Sequence, residues 1–418
     1  LIRGLVDHHI HLLATAAQAQ SLDVTEAAGP DDFARRLRER AASLAPGRWL
    51  RVTGYHERSC GPLSRLALDA IAQDRPVRVQ HQTGAAWVLN SAGFAALGEG
   101  DWPDAVERGP DGGPTGWIFR GDAWLQARIG REAPALGPLG ATLAAFGITS
   151  LTDASASTDA AAAAELARAH RAGELPQRLM LMSAGPLAAP DDGAFAVGPV
   201  KVLLDDRDLP PLEDFAARIA FARREGRPVA VHCVTAAELA VTLAAFQDAG
   251  ARAGDRIEHG GVIAPEAIAE LKALGLVVVT QPGFVLERGD RYLAEVEAAD
   301  VGDLYRCGSL LAAGVPVAFS SDAPYGPADP WTAMRAAVRR TTRTGRPIGA
   351  AERVDPALAL SLFQAPATGP GTIPGPLSVG EPADLCLLAS PLAPALAAAD
   401  APMVAATLVG GRIIHRSP

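Results

Sequence analysis

Pro228-Val229-Ala230-Val231-His232 is a short apolar run that closes on a histidine. A helical pattern follows over Ala236–Ala249 and halts at Gly250, and then comes Arg256-Ile257-Glu258-His259, a second short run with the same ending. Strand, helix, strand, with Gly-containing turns between them, is the βα repeat, in which the helix carries the chain back so that successive strands lie parallel. The same alternation extends outward in both directions. Strands are predicted at 148–152, 178–182, 200–204, 276–281 and 315–320, and helices at 139–146, 158–172, 212–225, 265–274 and near 304–313. The opening run Leu5-Val6-Asp7-His8-His9-Ile10 brings the strand count to eight, which favours a closed (β/α)8 barrel of the TIM type over an open doubly wound sheet. No G-x-G-x-x-G follows any of these strands, which disfavours dinucleotide binding.

Two stretches interrupt the pattern. Residues 20–130 hold a helical pattern at 30–45, strand-like runs at 49–55 and 76–82, a Gly/Pro-rich segment at 108–117 and most of the six tryptophans. They read as an insertion subdomain after strand 1, able to cover a site. Residues 366–418 read as a small β-sandwich module, with a hairpin pivoting on Gly410-Gly411. The barrel is then assigned to residues 1–19 and 131–365. The chain opens on Leu1, already inside a strand, so further N-terminal strands of the β-module are expected to precede it.

Composition narrows the partners. With 49% hydrophobic and 20% charged residues, the chain is an ordinary globular protein with a sizeable core. A net charge of −9 argues against nucleic acid or an anionic membrane surface. No apolar run approaches the roughly 18 residues a membrane span requires. Cys60, Cys233, Cys307 and Cys386 lie far apart with no C-x-x-C, which fits a reducing cytoplasm and gives neither a disulfide framework nor a cysteine zinc site. A small-molecule substrate is expected, and a homodimer is the ordinary oligomeric expectation.

In a barrel of this type the site forms where strands end and βα loops begin. His9 and His11 end strand 1, spaced so that alternate side chains share a face. Lys201 lies in strand 4, His232 ends strand 5, His259 ends strand 6 and Asp322 ends strand 8. Each has an ordinary reading alone: a core histidine, a capping aspartate, a lysine paired with Asp205 or Asp206. Together on one rim they read as metal ligands. Lys201 and Lys272 are the only lysines among 38 basic residues. An amine in an apolar strand should lose its proton and can then take up carbon dioxide as a carbamate, chemistry closed to arginine. His8, His56, His81, His170 and His415 fall off the ligand face and are read as structural or exposed.

The runs Gly4–His11, Lys201, His232, Arg256–Gly260 and Ser321–Pro324 together resemble the metal-dependent amidohydrolase superfamily, in its amidohydrolase-3 branch that includes N-substituted formamide deformylase. Further support comes from Asn90-Ser91, Gly147–Ser150 and Val379–Leu385. The resemblance implies hydrolysis of a non-peptide C–N bond, as in an amide or N-acyl or N-formyl amine, through a metal-bridging hydroxide. His9, His11 and Asp322 would hold one divalent ion, His232 and His259 a second, with carboxylated Lys201 between them. Two zinc ions are the expectation, and manganese, iron or cobalt would suit the same mixed donors. Asp322 would serve as general base and then general acid. Alternatives are a lactone or ester hydrolase on the same site, or a single-metal decarboxylase. Thr235 stands where the superfamily's deaminases carry glutamate, which disfavours deamination. Trp117, Arg120, Gln281 and Tyr325 are candidates for the substrate pocket.

Overall fold

The structure, a computed structural model, describes the whole chain except residues 84, 99–101, 131–132, 400–402 and 418. The barrel boundary expected at residue 131 lies outside the described residues. The chain divides into two compact units, Leu1–Thr15 with Leu136–Pro418, and Ala16–Ala135.

The first unit is built on an eight-stranded parallel sheet, counted among the described residues. Its strands are β1 (Leu5–Ile10), β2 (Ile148–Asp153), β3 (Arg178–Ser183), β4 (Ala196–Val202), β5 (Val229–Cys233), β6 (Arg256–His259), β7 (Val277–Thr280) and β8 (Val317–Phe319). Each pairs with its neighbour in the sequence, in the order β1 to β8. The strands are buried on both faces, which is why β7 reads Val-Val-Val-Thr with no polar alternation. The intervening helices begin and end on local signals. Thr235 and Glu238 form a reciprocal capping box at the start of Ala236–Ala249, and Gly275 closes Pro265–Leu274 in the left-handed conformation. A helix at Gly283–Glu295, unread in the sequence, follows β7.

The barrel's first and last strands meet through bonds at the mouth. The Asp322 amide donates to the His9 carbonyl at 2.8 Å, and the His11 amide donates to the Ala323 carbonyl at 2.8 Å. The buried Asp7 carboxylate reinforces the seam by accepting from the Ser321 amide at 3.0 Å and from the Ser321 hydroxyl. Beside the barrel, Ile2–Arg3, Leu385–Leu388, Val404–Val409 and Arg412–Arg416 form a four-stranded antiparallel sheet. Its hairpin turns on Gly410 and Gly411, both at positive φ as a primed two-residue turn requires.

The second unit has its own mixed sheet, in the order Leu22–Asp23, Leu50–Tyr55, Val77–His81, Ala86–Leu89, Pro114–Phe119 and Val106–Arg108. The helix Pro30–Ser43 buries Phe33, Leu37 and Ala41 in a core shared with Leu50, Val52, Tyr55, Val77 and Val79. Trp87 lies in a second cluster with Phe94 and Ile118, against which Trp49, Trp102 and Trp124 pack. These tryptophans fill the unit's own cores.

Candidate metal centre

Strand ends bring the six sequence-predicted ligands to one end of the barrel. His9 and Lys201 lie within β1 and β4, His232 and His259 at the ends of β5 and β6, and His11 and Asp322 just past β1 and β8. Asp322 is the hub. Its Oδ1 lies 3.2 Å from His11 Nε2 and 3.5 Å from His9 Nε2, and its Oδ2 lies 3.7 Å from His259 Nδ1. The His9 and His259 rings are 4.8 Å apart and those of His232 and His259 4.5 Å apart, measured between centroids. Asp322 (φ 52°) and His259 (φ 73°) both hold left-handed backbone, where aspartate and histidine are tolerated better than most residues. Such conformations cost energy and concentrate where side chains must be aimed at a site.

Buried partners fix the imidazoles. Glu258, fully buried on β6, accepts from His9 Nδ1, which leaves His9 Nε2 bare toward Asp322. Arg256 Nε donates to the other oxygen of Glu258, and Arg256 Nη2 donates to the His8 carbonyl at 3.1 Å. His11 Nδ1 is 3.0 Å from Ser155 Oγ, and His259 Nδ1 is 3.0 Å from Gln281 Oε1. Gln281 is buried, and its amide nitrogen donates to Ser320 Oγ at 2.9 Å. The sequence reading missed the anchoring roles of Glu258, Ser155, Arg256 and Asp7. Only Asp7 carried a signal, since alternation along β1 places it on the face of His9.

Burial disfavours the charged forms of the basic groups. It pushes His9 and His259 well below the ordinary histidine value and His232 down to about 4. Burial likewise lowers Lys201, whose Nζ makes no hydrogen bond. The alternative pairing of Lys201 with Asp205 does not occur, because Asp205 bonds Arg207 on the surface. His9 Nε2 and Asp322 Oδ1 are also buried without a hydrogen bond. Leaving such atoms unsatisfied costs about 1–3 kcal/mol each. A bare imidazole nitrogen and a carboxylate oxygen are donors that a divalent transition metal takes. Ligand atoms of His9, His259 and Asp322 all lie within 4.8 Å of one another.

The remaining predicted residues are placed as follows. Tyr325 is exposed, with its ring edge-on to His11 at 5.6 Å. Trp117 and Arg120 belong to the second unit. Trp117 donates to the Leu63 carbonyl at 3.0 Å and packs on the unit's core, and Arg120 is exposed.

Comparison with known proteins agrees with this architecture. The model of the amidohydrolase family matches residues 1–415. The chain belongs to the amidohydrolase family. As an amidohydrolase it is a hydrolase acting on carbon–nitrogen bonds, as the sequence predicted. It is 24% identical to N-substituted formamide deformylase of Arthrobacter pascens, over 93% of this chain and 83% of that protein. It is also 24% identical to the putative amidohydrolase YtcJ of Bacillus subtilis, over 81% of this chain and 73% of that one. Among solved structures, an uncharacterized metal-dependent hydrolase of Pyrococcus horikoshii superposes with a TM-score of 0.71 at 21% identity, covering 86% of this chain and 79% of that one. This amidohydrolase thus shares the fold of that solved structure.

Proposed function

We propose that the chain hydrolyses the C–N bond of a small non-peptide amide, such as an N-acyl or N-formyl amine, with divalent metal at the barrel mouth. His9, His11, His232, His259 and Asp322 would hold the metal, and Lys201, as its carbamate, would join two ions, zinc being the first expectation. The observation that carries this reading is the convergence of His9 Nε2 and His11 Nε2 on one oxygen of Asp322, with the His259 ring beside them. When bound, the metal lowers the pKa of a coordinated water and polarises the substrate carbonyl.

The chain's own groups supply the rest. Asp322 takes a proton from the attacking water and returns it to the departing nitrogen, so one carboxylate acts as base and then acid. Glu258 holds His9 with its Nε2 unprotonated, and Gln281 holds the ring of His259. Gln281 is thereby read as a positioning residue, its amide already engaged on both sides. Tyr325, edge-on to His11, offers an aromatic wall to the part of the substrate next to the reacting carbon.

The test is a substrate panel with the metal-loaded protein: N-formyl and N-acyl amines, lactones and aromatic carboxylic acids. Turnover of the amides, with Asp322→Asn slower by about 100-fold or more, is the expected result. Release of carbon dioxide from aromatic acids, or undiminished amide turnover by Asp322→Asn, would overturn the reading.

A further inference from the structure

The second unit carries another convergence of metal-binding groups, built from residues that the barrel does not use. His56 and Glu57 follow the strand Leu50–Tyr55, and His81 ends the neighbouring strand Val77–His81, where it pairs in register with Tyr55. His81 Nε2 lies 3.3 Å and His56 Nδ1 3.6 Å from the same oxygen, Glu57 Oε2. The two rings are 5.5 Å apart between centroids. Ligand atoms of all three residues lie within 4.8 Å of one another.

From these distances we propose that His56, Glu57 and His81 form a second metal site, selective for a divalent transition metal such as zinc or copper. Four ligands at about 2.0–2.2 Å in a tetrahedron stand roughly 3.3–3.6 Å apart, so the observed spacings are those of tetrahedral edges. Two imidazoles exclude magnesium and calcium as the preferred ions, because those take oxygen donors. The outer partner of His81 is in place as well. Its Nδ1 lies 2.8 Å from Thr83 Oγ1; with metal on Nε2 the ring proton sits on Nδ1, which then donates to that hydroxyl and releases the 3.3 Å bond it now accepts from the Thr83 amide. His56 must release the contact in which its Nδ1 accepts from the Arg58 amide at 3.0 Å. That contact is a single capping hydrogen bond on a four-residue helix, which one metal–nitrogen bond can replace. The glutamate is exposed while the two imidazoles are largely buried, leaving the glutamate side open to water as the fourth ligand. An ion held here would tie the ends of two adjacent parallel strands together.

The full-length protein, stripped with chelator and reloaded, would be compared with His81→Ala and Glu57→Gln by elemental analysis and by copper(II) electron paramagnetic resonance. Wild type should hold one more ion per chain than either variant and show nitrogen hyperfine structure that His81→Ala reduces. Zinc should raise the thermal midpoint of the second unit's transition in wild type but not in Glu57→Gln, which keeps the apolar core intact. Amide turnover should be equal in all three, so failure here is distinguishable from failure of the barrel site. Equal metal content in wild type and both variants, or an oxygen-only copper signal beyond the barrel's own, would overturn the proposal.

Discussion

The backbone amide of Asp322 donates to the backbone carbonyl of His9 at 2.8 Å, so the residue that follows the last barrel strand is fastened to the first. The same two residues face each other through their side chains, with Oδ1 and Nε2 3.5 Å apart. Closure of the barrel and assembly of the site are one structural event.

Asp7 sits beneath that joint, accepting two hydrogen bonds from Ser321. Asp7→Ala should leave the Ser321 amide buried and unpaired, lowering unfolding free energy by about 1–3 kcal/mol. Urea denaturation would register the loss. A midpoint within error of wild type would show that the seam does not depend on this carboxylate.

Glu258 orients His9 and neutralises Arg256, both fully buried. Glu258→Gln should weaken metal binding by about 10–100-fold, the usual scale for such outer partners. Glu258→Ala should in addition cost on the order of 3–5 kcal/mol, since Arg256 would keep an uncompensated buried charge. Competition with a chromogenic chelator measures the first effect and thermal denaturation the second.

Lys201 offers what an arginine in its place would not, a removable proton on a primary amine. Lys201→Arg should lose activity as completely as Lys201→Ala, because guanidinium stays charged and cannot form a carbamate. Only the alanine variant leaves space, so formate or acetate should restore part of its turnover. Rescue of the arginine variant, or full activity in either without added acid, would remove the carbamate from the account.

The four thiols are buried, and burial pushes Cys307 and Cys386 up to about 12. At pH 8 a thiol of that pKa is ionised to about one part in 10⁴, so alkylation of these two should await unfolding. The linkage has a definite sign. Unfolded thiols ionise near 9 and the folded ones near 12, so their stabilising contribution is complete below pH 9 and is lost as the pH climbs toward 12. Denaturation midpoints measured from pH 8 to 11 should fall, and less steeply in Cys307→Ala/Cys386→Ala.

Residues whose meaning is local were readable from the sequence. His232 and His259 close apolar runs, and Lys201 interrupts one, so each announced both its strand and its position on it. Glu258 did not, because its role depends on β6 approaching β1 from across the barrel, 249 residues away in the chain. Gln281 was legible as a residue at a strand end, but its engagement with His259 and Ser320 is a tertiary fact. The helix Gly283–Glu295 was hidden by its own composition. Glycines at 283 and 289 lower its helix propensity, although its apolar residues still gather on one face.

The path of the chain into and out of the second unit governs the order of assembly. β1 carries the first histidine, yet its ladder partner begins at Ile148 and its other edge waits for Asp322. During translation the first barrel strand must therefore wait for its sheet partners while Ala16–Ala135 emerges, with a sheet of its own to form. The candidate metal centre is consequently among the last parts to become native, and a ribosome-bound fragment ending before residue 322 should contain a folded second unit and an incomplete centre.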